Sequence, residues 1–253
     1  MDRFYIDNLD AAVLSAEEAH HCLHVTRHKV GDTISAFDGR GHEAQCQITG
    51  TTKEKVALKI LTRTAATSLR CQITLAQAVP KKNMDLIVQK ATELGVTTIH
   101  PLLSERTVVE AAGKLDRWRA IAMESCKQCG NNWLPTIHAP VKASAFLNAL
   151  PPADLKFICS LQPDAKPLKQ LLTGPAPRSV LILIGPEGDF TPAELSLAKS
   201  AGCLPLSLGP LVLRAETAAL YTRAFSITSC RSYSRCGEIS PEYPSPGGVR
   251  PTR

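Results

Sequence analysis

Two apolar runs, each closed by glycine and each followed by a helix start, constrain this chain more than any other feature. The first is Ser179-Val-Leu-Ile-Leu-Ile-Gly185-Pro-Glu-Gly188-Asp-Phe-Thr-Pro192, the second Leu206-Ser-Leu-Gly209-Pro-Leu-Val-Leu-Arg214-Ala-Glu216-Thr217. Short apolar runs without alternation read as strands covered on both faces. Glycine at the strand end lets a ligand lie against bare backbone. Thr191, Pro192 and Glu194 supply an N-cap, a first-turn proline and an acid at N3, so a helix begins just beyond Gly188 with its amides turned toward the loop. Such an end favours a carboxylate, a phosphate or a polar adenine edge. Two strand ends of this build imply one pocket made from two loops.

From Cys71 onward, strands alternate with helices. Residues 73–79 read as a strand. Met84, Ile87, Val88, Ala91 and Leu94 then recur at helical spacing, and Gly95 suits a helix stop. Residues 97–101 form a second strand, and Leu115, Trp118, Ile121, Ala122 and Ser125 share one helical face. Further strands fall at 155–159, 180–184 and 204–208. This order predicts an α/β class with a mainly parallel sheet. Residues 1–68 differ. Ser15 and Glu18 read as a capping box for a short helix through His24. Residues 33–37 and 45–49 flank the turn Asp38-Gly-Arg-Gly41 as a hairpin, 55–61 is another strand, and the polar stretch 62–69 is a linker. Residues 229–253 are rich in Ser, Pro, Gly and Arg without apolar period and predict a disordered tail. The expected units are therefore 1–68, 69–228 and that tail.

Charge and cysteine usage exclude several classes. Residues 1–68 hold 8 Lys/Arg against 9 Asp/Glu, whereas 69–150 hold 10 against 6, so the net charge of +6 is concentrated mid-chain. A cationic surface there attracts phosphate backbone, or is simply a solvated helix face. The nine cysteines include one CxxC pair, Cys126 and Cys129, with no second pair at zinc spacing, so they are read as reduced and no metal is expected. His20, His24 and His28 share a helical spacing but lack a clear carboxylate partner set, which favours a structural or RNA-facing role. No apolar run nears the roughly 18 residues of a membrane span, and the N-terminus lacks the build of a signal peptide, so a cytoplasmic protein is expected.

The loops carry the candidate chemistry. Neither a GxGxxG nor a GxxxxGK[ST] run is present, which counts against a nicotinamide oxidoreductase and against triphosphate binding. Glu187, between the two loop glycines, either holds backbone amides or contacts a ligand. Leu211 and Leu213 can wall an apolar ligand. Arg214 and Glu216 either pair to fix a helix start or contact substrate.

The GPEG loop with its capped helix, followed by SLG–x–x–xLR–x–ETA, resembles the SPOUT superfamily of S-adenosylmethionine-dependent RNA methyltransferases, and within it the RsmE family, which methylates N3 of a uridine in 16S ribosomal RNA. The resemblance runs in family order. It includes Arg3-Phe4, His20-His21, Arg27, Gly31-Asp32 and Phe37-Asp38-Gly39. It continues through Lys81-Lys82, Gln89-Lys90-Ala-Thr-Glu93-Leu-Gly95-Val96, Pro101-Leu-Leu-Ser-Glu-Arg106, Arg117-Trp118 and Gln128-Cys129-Gly130, and it covers about residues 1–225.

It implies a SPOUT-type parallel sheet with a C-terminal trefoil knot, an exception to the usual absence of knots, preceded by a small PUA-like β-barrel. It implies S-adenosyl-L-methionine held by Ser160, Leu161, Ile184, Gly185, Pro186, Glu187, Gly188, Leu208, Gly209, Leu211 and Leu213. It also implies 16S rRNA, within the assembled small subunit, as substrate, and a homodimer. Glu216 and Glu187 are the candidate bases and Arg214 the candidate anion stabiliser; Arg3, Arg27, Lys29, Lys81 and Lys82 are the candidate RNA contacts. Three features depart from the pattern. Asp189 replaces a common glycine, Asn131 replaces a common arginine, and a Ser/Pro-rich end replaces the closing helix. These departures motivate a non-catalytic ribosome-associated RNA-binding protein as the alternative; ribose 2′-O methylation is a second.

Overall fold

The computed structural model describes residues 2–52, 54–67, 71–111, 113–172 and 174–229. The tail expected over 229–253 lies, beyond Ser229, outside the described residues. The N-terminal unit is a five-stranded sheet of β1 (Arg3–Tyr5), β2 (Val13–Leu14), β3 (Thr33–Phe37), β4 (His42–Thr51) and β5 (Val56–Ala65), in the order β1-β3-β4-β5-β2. β1 runs parallel to β3, and the other neighbours are antiparallel. Alternation along β4 buries Ala44, Cys46 and Ile48 against Phe4, Leu14 and Ile34. The β3–β4 turn is held by Asp38, whose Oδ1 accepts from the Arg40 and His42 amides at 2.7 and 3.1 Å.

Two expectations need correction here. The linker over 62–69 is in part strand, because β5 continues to Ala65 and pairs with the start of β4. These residues are polar and exposed, so they carry no apolar signal, and main-chain pairing alone keeps them extended. The capping box at Ser15 is only half made. Ser15 Oγ accepts from the Glu18 amide at 3.3 Å over α1 (Ala16–His20), but the Glu18 carboxylate turns away to the Tyr5 amide and Lys127. After His20 the chain loosens into a π-helical turn over His21–Val25.

The second unit is an eight-stranded parallel sheet. Its strands are β6 (Gln72–Ala78), β7 (Thr98–Leu103), β8 (Thr136–Ile137), β9 (Val141–Lys142), β10 (Leu155–Cys159), β11 (Lys166–Pro167), β12 (Ser179–Ile184) and β13 (Leu204–Ser207). The order is β11-β13-β10-β12-β6-β7-β8, with β9 also on β7. Ile73, Leu75, Ile182 and Ile184 face α2 (Met84–Glu93), α3 (Leu115–Cys129) and α7 (Ala215–Ser229). Ala76, Ala78, Leu181 and Leu183 face α4 (Ala143–Asn148) and α6 (Pro192–Ser200), while α5 (Leu168–Leu171) edges the sheet. Both faces are covered, which is why these strands read as continuous apolar runs. Gly95 ends α2 in a left-handed turn (φ 76°), donating to the Thr92 carbonyl at 3.0 Å while Val96 donates to that of Ala91 at 2.9 Å.

The two units are locked together. The Gly41 amide donates to the Asn132 carbonyl and the Leu134 amide to the Gly39 carbonyl, both at 2.9 Å. The Lys127 ammonium is buried against Glu18 and lies 2.8 Å from Glu124. Burial alone would lower its pKa, but the two carboxylates outweigh that and raise it. Asn131, where the resemblance leads to arginine, turns its side chain inward, accepting from the Trp133 amide at 2.9 Å and donating to the Thr92 carbonyl at 3.3 Å.

Candidate active site

The C-terminal ends of three adjacent strands, in the spatial order β13-β10-β12, form a cavity of about 260 Å³. Each strand contributes the loop that follows it: Ser160 and Leu161 after β10, Gly185 to Glu187 and Asp189 after β12, and Leu208, Gly209 and Leu211 to Arg214 after β13. Ala215 and Ala218 close it from the first turn of α7, where a larger side chain at either position would fill the space. The two glycine-ended strands therefore do meet in one pocket.

Local geometry explains the loop sequences. Thr191 caps α6 with Oγ1 on the Glu194 amide at 3.3 Å, and Glu194 answers with Oε2 on the Thr191 amide at 2.8 Å, completing the capping box. A turn precedes it, closed by the Asp189 amide on the Pro186 carbonyl at 2.9 Å. Asp189 takes a left-handed φ of 60°, the conformation in which glycine is commonest and aspartate is tolerated. Its Oδ1 accepts from the Phe190 amide at 2.7 Å. A Cβ on Gly185 would lie 3.0 Å from that oxygen and 3.2 Å from the Phe190 nitrogen, so a side chain there would press on the turn. Gly209 is at φ 119°.

The cavity suits a ligand with an apolar body and a few polar ends. Ile184, Leu208, Leu211 and Leu213 supply its walls, and backbone groups around Gly185 and Gly209 its polar edges. A Cβ added at Gly209 would meet nothing within 4 Å, so bare backbone borders open space there. These residues fit the adenine and methionine portions of S-adenosylmethionine. Leu211 and Val212 are 72% and 76% exposed, and Leu161 is 62% exposed, giving the mouth an apolar lip. Cys159 also lines the cavity; burial, then the nearby Asp189 charge, pushes its thiol up to about 12, which disfavours the thiolate.

Of the expected cofactor residues, all but Gly188 line the cavity. Gly188 lies instead under Arg106, which donates from Nη1 to its carbonyl. Glu187 accepts from the Lys81 amide with both oxygens, at 2.9 and 3.1 Å, so it holds the loop. Glu216 Oε1 accepts from Asn83 Nδ2 at 3.1 Å. The two candidate bases are thus tied to one turn, that of Lys81 to Asn83. Among the described residues Arg214 makes no ion pair with Glu216; its guanidinium is exposed, and its carbonyl accepts from the Ala218 amide at 2.8 Å.

The RNA candidates divide. Lys81 and Lys82 are exposed beside the cavity loop, and Arg27 and Lys29 are exposed after the π-helical turn. Arg3, the fifth RNA candidate, does not face outward. Its side chain is 11% exposed and bridges the units, with Nε 3.3 Å from Glu43, Nη1 2.6 Å from the Cys126 carbonyl, Nη2 on Asn132, and the guanidinium 4.6 Å over the Phe37 ring. The histidines form no metal group among the described residues; His28 instead pairs with Asp2 at 2.9 Å and Asp32 at 3.3 Å. Sequence reasoning missed Arg106, Asn83, Ala215 and Ala218. Only the two alanines left a signal, as small residues three apart at a helix start facing a loop.

Two family patterns match the chain: an RNA methyltransferase domain over residues 67–226 and an RNA methyltransferase PUA domain over 14–61. The chain is 33% identical over 209 residues to ribosomal RNA small subunit methyltransferase E of Synechocystis, with 81% of this chain and 69% of the relative covered. It is 30% identical over 220 residues to the Bacillus subtilis protein of the same name, covering 82% and 86%. A crystal structure of a ribosomal RNA small subunit methyltransferase E from Neisseria gonorrhoeae, bound to S-adenosyl methionine, superposes with a TM-score of 0.82 at 33% identity, covering 90% of this chain and 97% of that one.

Proposed function

The chain belongs to the ribosomal RNA small subunit methyltransferase E family, and we propose that it transfers a methyl group from S-adenosyl-L-methionine to N3 of a uridine in 16S ribosomal RNA. The observation that carries this reading is the cavity at three parallel strand ends, apolar inside, with Arg214 on its border and Glu216 close by in the first turn of α7.

When bound there, the cofactor supplies an electrophilic methyl group on a sulfonium. Ile184, Leu208, Leu211 and Leu213 hold its apolar parts and exclude water. Uracil N3–H is a weak acid, so its proton must leave as N3 becomes a nucleophile. Glu216 suits the role of base: Asn83 orients one carboxylate oxygen, and the other is available among the described residues. Glu187 is the weaker candidate, since both its oxygens already hold the Lys81 amide. Arg214, exposed beside the cavity, stabilises the negative charge that develops on the uracil ring. Lys81, Lys82, Arg27 and Lys29 attract the RNA backbone and position it without reading sequence.

The reading extends to architecture and setting. The chain acts on RNA within the assembled small subunit, in the cytoplasm; no helix among the described residues is long and apolar enough to cross a membrane. It pairs with a second copy, for which the exposed Leu161, Leu211 and Val212 provide apolar surface. The C-terminal trefoil knot is part of this reading, and the segment after β13 returns as α7 to pack on α2 and β12. The test is methylation of small-subunit particles and of naked rRNA, followed by nucleoside mapping. N3-methyluridine is expected, with Glu216→Gln and Arg214→Ala each lowering single-turnover rates roughly 100-fold. Full rates in both variants, or a ribose 2′-O product, would defeat the reading.

A further inference from the structure

Arg106 lies on the segment between β7 and α3, outside the cavity, yet it reaches the cofactor loop. Its Nη1 donates to the Gly188 carbonyl, and its aliphatic stem lies flat on the glycine. A Cβ built on Gly188 would sit 3.3 Å from Arg106 Cδ, tight enough that the stem must give by a few tenths of an ångström, and 3.6 Å from Arg106 Cβ, an ordinary contact. Gly188 is not in the left-handed region, so its backbone conformation alone does not demand glycine. It does not line the cavity; it sits inside the Pro186–Asp189 turn, where its lack of a side chain leaves room for the Arg106 stem.

The rest of the segment is prepared for this. Residues 104–107 form a tight turn, with the Thr107 amide on the Ser104 carbonyl and the Ser104 amide on Thr107 Oγ1, both at 3.0 Å. The Glu105 amide donates to Glu194 Oε1 at 3.1 Å, which fastens the turn to the capping box of α6. On the preceding residue of the loop, the Lys81 amide grips Glu187. The loop from Gly185 to Asp189 is therefore clamped by two neighbouring segments, at adjacent residues.

We infer that Arg106 is a positioning residue for S-adenosylmethionine: by holding the Gly188 carbonyl it fixes the Gly185–Asp189 loop in the shape that receives the cofactor, while touching neither cofactor nor reacting atoms. The inference rests on the cofactor reading of the cavity. A double-mutant cycle tests it, with S-adenosylmethionine binding followed by calorimetry, its KM and kcat by methyl transfer, and folding by thermal melting. Arg106→Ala raises the cofactor Kd and KM roughly tenfold, the effect of one charge-assisted hydrogen bond, with kcat at saturation within about twofold. Gly188→Ala, which displaces Arg106 by bulk, does the same. The double variant is no worse than either single one, because both remove one contact. Arg106→Lys, which keeps a donor and the stem, recovers most of the affinity.

Additive effects in the double variant, or a cofactor Kd unchanged in Arg106→Ala, overturn the inference. So does an Arg106→Ala variant whose rRNA affinity falls while its cofactor affinity holds, since Arg106 would then be an RNA contact. Failure of the unsubstituted protein to bind S-adenosylmethionine defeats the cofactor reading itself, and is thereby distinguished from failure of the clamp.

Discussion

Replacing Arg3 by alanine decides whether that residue serves the fold or the RNA. The guanidinium joins three groups of two units: Glu43 on β4, the Cys126 carbonyl in the last turn of α3, and Asn132 beyond it. Each hydrogen bond to a charged group contributes about 1.5–3 kcal/mol, and the three are not additive. Breaking a fully buried ion pair costs about 3–5 kcal/mol, because it strands the other charge. Here Glu43 keeps Ser35 and Asn132 as donors, and its side chain is 29% exposed. The lower end of that range is therefore appropriate, about 3 kcal/mol. For a chain of this size that corresponds to a fall in Tm of roughly 6–12 °C. Arg3→Lys, which keeps the charge but not the planar fork, falls between.

The same site fixes a pH dependence. Burial opposes ionisation of Glu43, but hydrogen bonds from Ser35 and Asn132 and the Arg3 charge outweigh it and hold the carboxyl below its ordinary 4.5. Its folded value is depressed, so its stabilisation is complete above the unfolded value and is lost as pH falls through the folded one. The melting curves of Arg3→Ala and the unsubstituted protein thus differ most above about pH 5 and converge in acid. Circular-dichroism melts across pH, with rRNA affinity measured alongside, are the assay. A Tm within about 2 °C of the unsubstituted protein, accompanied by weaker RNA binding, would refute the reasoning and return Arg3 to the RNA surface.

Gly41→Ala places a Cβ 2.3 Å from Trp133 Cζ2 at a φ of 100°, so a loss of at least about 2 kcal/mol in denaturant unfolding is expected, with a shifted tryptophan emission as the units part. Asp189→Gly keeps stability within about 1 kcal/mol, whereas Asp189→Ala costs about 1–2 kcal/mol through its left-handed backbone and the lost bond to the Phe190 amide; paired melts separate them.

The sequence by itself determined the parallel sheet, the capped helix behind Gly188 and the convergence of two loops. These are local or periodic signals: apolar runs for strands covered on both faces, Thr191 and Glu194 for a cap, glycine for a stop. Each is set by residues within a few positions, so each is written where it acts. What the tertiary structure alone decided concerns pairs distant in the chain. Arg3 was legible as a cation but not as a bridge to Asn132, 129 residues away. Glu187 kept two readings open until the Lys81 amide, 106 residues away, occupied it. Gly188 was legible as a loop glycine and Arg106 as part of a motif, but not as partners, because their meaning is a contact between two loops. A charged or small side chain announces what it can do; only the folded neighbours fix which of its partners it meets, since burial and distance set the strength of every polar contact.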